Sequence, residues 1–155
     1  MYSAYSIANA FIERAIAGRI QDLSSMKLQK LLYFAQAWHL QVEGFPFFED
    51  CFIRGETGPI LPSIQHQLKA YGSRPVFQTV RILSGSDDPL RWRIPTLPSD
   101  HVRSWKWVDA VIRRFGHLSA QALSDLTHLP GSAWSQGAPD GGPITHESIL
   151  NDATV

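Results

Sequence analysis

Cysteine is nearly absent: Cys51 stands alone in 155 residues. That excludes an internal disulfide and any zinc site built on several thiolates. Net charge is absent too, with 14 Lys and Arg against 14 Asp and Glu. No overall field therefore draws the chain to nucleic acid or to an anionic membrane, and electrostatic recognition would have to be local. No apolar run approaches the ~20 residues that a membrane-crossing helix needs. The opening MYSAYSIANAF has no basic region and meets Glu13 soon after, so a secretory leader is not expected. The lone thiol fits a reducing cytoplasm. Internal repeats, low-complexity segments and linkers are missing as well, so residues 1–155 are expected to be one domain.

What is present is an ordinary globular composition, 44% hydrophobic and 18% charged, enough to bury a core. Residues 5–17 repeat apolar positions at helical spacing: Ile7, Ala8, Phe11, Ile12 and Ala15 share one face, with Asn9 and Glu13 opposite. Ser24 or Ser25 caps a longer helix from Met26 to Glu43, stopped by Gly44. Leu28, Leu31, Leu32, Ala35, Trp38, His39 and Val42 fall on its main arc. Tyr33, Phe34, Ala37 and Leu40 make a second apolar surface. A helix with two such surfaces is either the central helix of a domain, the reading favoured here, or exposes a face to a partner, and the two are compatible if only part of the second face is covered.

Downstream, the residues 45–48 turn into a short extended piece, Cys51 to Arg54, and RGETGPILP reads as a loop. Pro62 opens a helix that ends at Gly72, with Ile64, Leu68 and Tyr71 facing inward. VFQTVRIL and LRWRI alternate and flank turn chemistry, which reads as a β-hairpin with its loop at Ser84 to Pro89 and with Arg81, Arg91 and Arg93 on the solvated face. A fourth helix over 99–115 sets Trp105, Val108, Val111, Ile112 and Phe115 against Arg103, Lys106, Arg113 and Arg114, and Gly116 ends it. Ser119 caps a short helix, Trp134 pins a Gly- and Pro-rich loop to the core, and Thr145 caps a last helix before a fraying tail. The fold class is mainly α with a small β element, α+β, of about five to six helices plus a hairpin.

Candidate chemistry is thin. His39 sits inside an apolar arc and reads as a hydrogen-bonded core residue. His66 has no second ligand one helical turn away, so no helical metal pair exists. Cys51 with a histidine could form a nucleophile and base, but a thiol in an apolar strand reads as buried and inert. GETGP lacks the Lys and Ser/Thr of a phosphate loop. The arginines at 81, 91, 93, 103, 113 and 114 could form one basic surface, which is the basis of an alternative reading as a nucleic-acid-binding or regulatory protein.

Three stretches in order, KLQKLLYFAQAWHL (27–40), GPILPSI (58–64) and LKAYG (68–72), resemble the Panacea family of small bacterial and phage antitoxins. That family includes adaptors that deliver a toxin to a protease, and phage-associated proteins. Leu28, Lys30, Leu31, Leu32, Tyr33, Ala35 and Gln36 match its helix, and Gly58, Pro59, Pro62, Lys69, Tyr71 and Gly72 match its Gly-Pro turn and the helix after it. Leu123 to His128, Trp134 and Ile149 resemble its closing segment. The chain departs at Ile53-Arg54 and Thr57, where the family often carries Ala-Trp-like residues and an aromatic.

The resemblance implies a protein–protein module with a nearby-encoded toxin, and in some cases a protease, as partner, and with no cofactor and no catalytic residue. An accessory or targeting role in a phage or secretion system is the other role it leaves open. Leu28, Leu31, Leu32, Gly58, Pro59, Pro62, Tyr71 and Gly72 read as scaffold. Tyr33, Leu40, Arg54 and Glu56 are left without a structural task and are the expected partner contacts.

Overall fold

The architecture comes from a computed structural model that describes residues 1–84 and 90–155. Among these residues there are six α-helices: α1 (Ala4–Ile16), α2 (Ser25–Glu43), α3 (Pro62–Leu68), α4 (Val102–Phe115), α5 (Ala120–Thr127) and α6 (His146–Leu150). Strands β1 (Phe52–Gly55), β2 (Gly58–Ile60) and β5 (Pro143–Ile144) form an antiparallel sheet in the order β2-β1-β5. A separate two-stranded ribbon pairs β3 (Ile82–Leu83) with β4 (Trp92–Arg93). The fold is α+β with helix predominating, as the periodicity predicts.

Local chemistry set the helix ends. Ser24, Ser119 and Thr145 accept hydrogen bonds from Lys27 N, Ala122 N and Ser148 N, each satisfying an amide that the first turn leaves unpaired. Gly44 closes α2 in the left-handed conformation at φ 82°, and Pro62 opens α3.

Helix α2 is the hub. Every residue from Lys27 to Ala37 is buried, because α1, α3, α4, α5, α6 and β2 all pack on it. One apolar cluster runs from Ala4 in α1 to Ile149 in α6 and passes through Leu28, Leu31, Leu32 and Phe34. Val42, expected on the inner arc, is exposed.

Other expectations are corrected. Asn9 is buried rather than solvated: its amide donates to Val80 O and Pro95 O and its carbonyl accepts from Val80 N. It thereby clasps both legs of the ribbon. The same bonds, with Val76 N donating to Leu23 O, occupy backbone groups that a long strand would need, so β3 spans two residues instead of the full VFQTVRIL. Of the expected hairpin loop, 85–89 lie outside the described residues. RGETGPILP is not a loop between strand and helix but the β1–β2 hairpin and the start of α3. Cys51 lies just before β1 and is exposed, not buried. The tail does not fray: Asp152 is buried and accepts from Tyr33 Oη at 2.7 Å and from Ala133 N at 3.0 Å.

Candidate functional site

A helix buried on all sides must satisfy its polar side chains internally, since each unpaired buried group costs about 1–3 kcal/mol. Helix α2 does so by clamping the backbone of its neighbours. The Gln29 amide accepts from Leu61 N and donates to Leu61 O. Gln36 accepts from Phe47 N and donates to Phe48 O. Lys27 Nζ donates to Gln21 O and Gly116 O, both at 2.8 Å. His39 Nδ1 lies 2.8 Å from Phe45 O and its ring stacks on Phe47. Burial pushes the His39 imidazole below its ordinary range, against the opposing pull of the Phe45 carbonyl and Glu43. His39 is therefore a hydrogen-bonded core residue, as expected from its place in the arc.

Lys30 is the clamp that bears on the surface. It is fully buried, and its Nζ donates to Pro59 O at 3.1 Å and to Thr57 Oγ1 at 3.4 Å. Burial pushes its pKa down to about 8, because no carboxylate offsets the cost of removing the ammonium from water. Above it sits the turn of the β1–β2 hairpin. Gly55 pairs with Gly58, so Glu56 and Thr57 form a two-residue turn with both side chains exposed. Gly58 adopts φ +114° over Lys30 and Thr127, where a Cβ would collide with the Thr127 hydroxyl.

Side chains from three directions hold the carbonyls of this tip. Trp134 Nε1 donates to Gly55 O at 2.8 Å, Ser124 Oγ donates to Thr57 O at 2.7 Å, and Lys30 takes Pro59 O. His128 packs on the Trp134 ring and brings its Nε2 to 3.4 Å from Glu56 O. Trp134 thus pins its loop, as expected, and the atom that it pins belongs to the hairpin. The tip is a rigid, preorganised projection that loses little conformational freedom when a partner lands on it.

The four expected partner contacts separate. Tyr33 is 1% exposed and Leu40 4%, so the expectation that they border an uncovered edge is corrected: α5, α6 and the chain end cover that surface, and Tyr33 donates its hydroxyl to Asp152. Arg54 is half-buried and has a structural task, donating to Trp134 O, Ala133 O and Pro143 O. It staples the 133–143 loop to β1. Glu56 alone stands at the tip with its carboxylate in solvent.

The residues missed from sequence are Lys30, Ser124 and Trp134 acting as tip clamps. One signal was available: a lysine embedded in LQKLL must find acceptors if that helix is central. The candidate chemistry elsewhere does not assemble. The Cys51 thiol makes, among the described residues, one long contact to Glu49 O at 3.9 Å. His66 is exposed on α3. No group of three metal-ligating side chains converges among the described residues. Arg103 forks onto Glu43 and Arg114 lies over Phe115, so those two arginines already have partners. A cleft of about 820 Å³ lies between the α1–α2 connection and the end of α4, but Lys27 in its wall is committed to backbone carbonyls. No helix among the described residues is long and apolar enough to cross a membrane.

A family model described as "Antitoxin SocA-like, Panacea domain" matches residues 28–135, which runs from the hub helix through the tip to its Trp134 clamp. The protein named "Antitoxin SocA" of Caulobacter vibrioides (strain NA1000 / CB15N) is 28% identical over 134 residues, covering 84% of this chain and 68% of that protein. No solved structure matches.

Proposed function

Because the chain belongs to the SocA-like antitoxin family with the Panacea domain, we propose that it is an antitoxin-like binding module. In this reading it neutralises a partner toxin in the cytoplasm, by direct complex formation or by delivering the toxin to a protease. The observation that carries the reading is the clamped tip. Trp134, Ser124 and Lys30 fix its carbonyls while Glu56 and Thr57 face solvent. Stable neutralisation needs an interface of about 1,600 Å² with a few well-placed anchors, and a rigid tip with a free carboxylate serves as one of them. The arginine-based alternative draws less support, since Arg103 is spent on Glu43 and the net charge is zero.

The test is co-expression with the product of the adjacent reading frame. The expected result is rescued growth and co-purification with this chain. Failure of both would sink the proposal. Glu56→Lys should weaken the complex by about tenfold without lowering thermal stability, because the side chain is exposed. The toxin's half-life, measured with and without this chain, separates blocking from proteolytic delivery.

A further inference from the structure

His39 spends only one of its two ring nitrogens on the fold. Nδ1 lies 2.8 Å from Phe45 O, and a carbonyl can only accept, so Nδ1 carries the proton. Burial disfavours the charged imidazole, which leaves Nε2 as a bare lone-pair acceptor. The residue is 7% exposed, yet Nε2 has no hydrogen-bond partner among the described residues. No fully buried side-chain nitrogen or oxygen is unpartnered among them, so the small exposed part of His39 includes Nε2. That part faces a pocket of about 400 Å³ between the last turn of α2 and the first turns of α4. Aromatic rings wall it. Phe47 stacks on the imidazole at 4.6 Å, and Phe45 and Trp107 stand edge-on to it at 5.0 and 5.7 Å. Phe45 is 53% exposed at the mouth. His39 is the one buried polar side chain in the wall, and the polar groups around it are paired with one another. Glu43 accepts from Arg103 and from Trp107 Nε1, and Tyr2 Oη lies 2.6 Å from His101 Nδ1 and 2.9 Å from Ser104 Oγ.

We propose that this pocket binds a planar aromatic group with one neutral N–H or O–H donor, the donor on His39 Nε2 and the ring against Phe45 and Trp107. That is the chemistry of a tyrosine or tryptophan side chain, or of a free phenol or indole. The wall selects it. An anion would meet a lone pair, with the Arg103 charge already neutralised by Glu43. A cation would find Glu43 spent and the Arg103 guanidinium beside it. A metal ion would lack ligands, since no three metal-ligating side chains converge among the described residues. A purely apolar group would strip water from Nε2 and return no hydrogen bond. The volume lies at the small end of ligand pockets, about 300–1,000 Å³, and suits one or two rings. The pocket sits at the Gly44 end of α2, apart from the Lys30 clamp and its tip, and the inference does not rest on the antitoxin reading.

The experiment titrates the full chain with p-cresol, the tyrosine side chain as a free molecule, and with toluene, which lacks the hydroxyl, and follows the His39 Nε2 resonance by nitrogen NMR. p-Cresol is expected to bind at about millimolar affinity, to move the Nε2 resonance, and to bind at least about threefold more tightly than toluene. Hydrophobicity alone gives the opposite order. His39→Asn keeps a donor for Phe45 O but lacks Nε2, and is expected to abolish the preference. Phe45→Ala, at an exposed ring, is expected to weaken both probes at least about threefold. Should His39→Asn fail to fold in a thermal melt, the parent chain and Phe45→Ala decide. An unmoved Nε2 resonance, or toluene bound as tightly as p-cresol, overturns the inference. So does a preference that folded His39→Asn retains. Repeating the titration with the product of the adjacent reading frame bound separates the two sources. Loss of p-cresol binding, with a complex weakened about tenfold by Phe45→Ala, assigns the ring to the partner; retained p-cresol binding assigns it to a free small molecule. Either result supports the site. Absence of a complex sinks the antitoxin reading and leaves the pocket to its own titration.

Discussion

Lys30 carries a charge where no solvent reaches it, and the consequences are measurable. Burial pushes its pKa from 10.5 down to about 8, so between pH 8 and pH 10 the folded chain holds fewer protons than the unfolded chain. Unfolding free energy then rises with pH across that window, by about 2 kcal/mol from this residue. Above pH 10 the sign reverses for Tyr33, whose phenol burial and Asp152 push upward, because the unfolded phenol ionises first. Denaturant titrations at pH 8 and pH 10 should show the rise in the parent chain and lose it in Lys30→Met. Identical slopes would mean that the ammonium is not buried as described. That Lys30 belongs to a central helix was legible in sequence. What its amine bonds to was not, because Pro59 and Thr57 reach it only after the hairpin has folded over α2.

At the scale of elements, the two hairpins differ in how they are held. The β1–β2 turn depends on Gly58, which combines φ +114° with close approach to Thr127 and to Lys30 Cε at 3.2 Å. Gly44, at φ +82°, has open space around it. Gly44→Ala should therefore cost about 1 kcal/mol, for backbone strain alone. Gly58→Ala should cost about 3 kcal/mol or more, because strain and collision add. Equal losses in equilibrium unfolding would contradict the packing at the tip. The β3–β4 ribbon hangs on one side chain. Asn9→Ala removes three hydrogen bonds and leaves Val80 and Pro95 backbone groups unpaired, a loss of about 2–4 kcal/mol. Limited proteolysis should then cut first near 80–95, and an unchanged cleavage pattern would show that the clasp is dispensable. The β3–β4 ribbon was announced by its turn residues, but strands β2 and β5 were not. Phe52 meets Ile144 across most of the chain, and two residues of strand carry too little alternation to be recognised.

For the molecule as a whole, α2 joins what lies before it to what lies after it. Its Tyr33 hydroxyl and the Ala133 amide both end on Asp152, and Gln41 donates to Ile149 O and Asp152 O. The chain end is thereby tied to the hub and to the Trp134 loop that clamps the tip. Asp152→Ala should lower stability by about 3 kcal/mol, since two buried donors lose their acceptor. Amide exchange should also quicken at Gly55 to Gly58, through the loosened 133–143 loop. Faster exchange confined to 150–155 would show that the tail and the tip are uncoupled.

The residues by themselves determined the helix ends at Ser24, Gly44, Ser119 and Thr145, which act within one turn of where they stand, whereas the end of α3 at Leu68 and the start of α4 at Val102 fall inside the longer helices expected there. They also determined that the Leu28 to Gln36 stretch would be central, through apolar positions on more than one face. Only the tertiary structure decided which side chains remain available to a partner. Tyr33 and Leu40 were covered by elements far away in the chain, Arg54 was claimed by three carbonyls of a distant loop, and Leu83, Leu90, Trp92 and Ile94 were left outside. Helix caps are local interactions, whereas accessibility depends on every element that packs nearby, and α5, α6 and the chain end reach α2 only in the folded state.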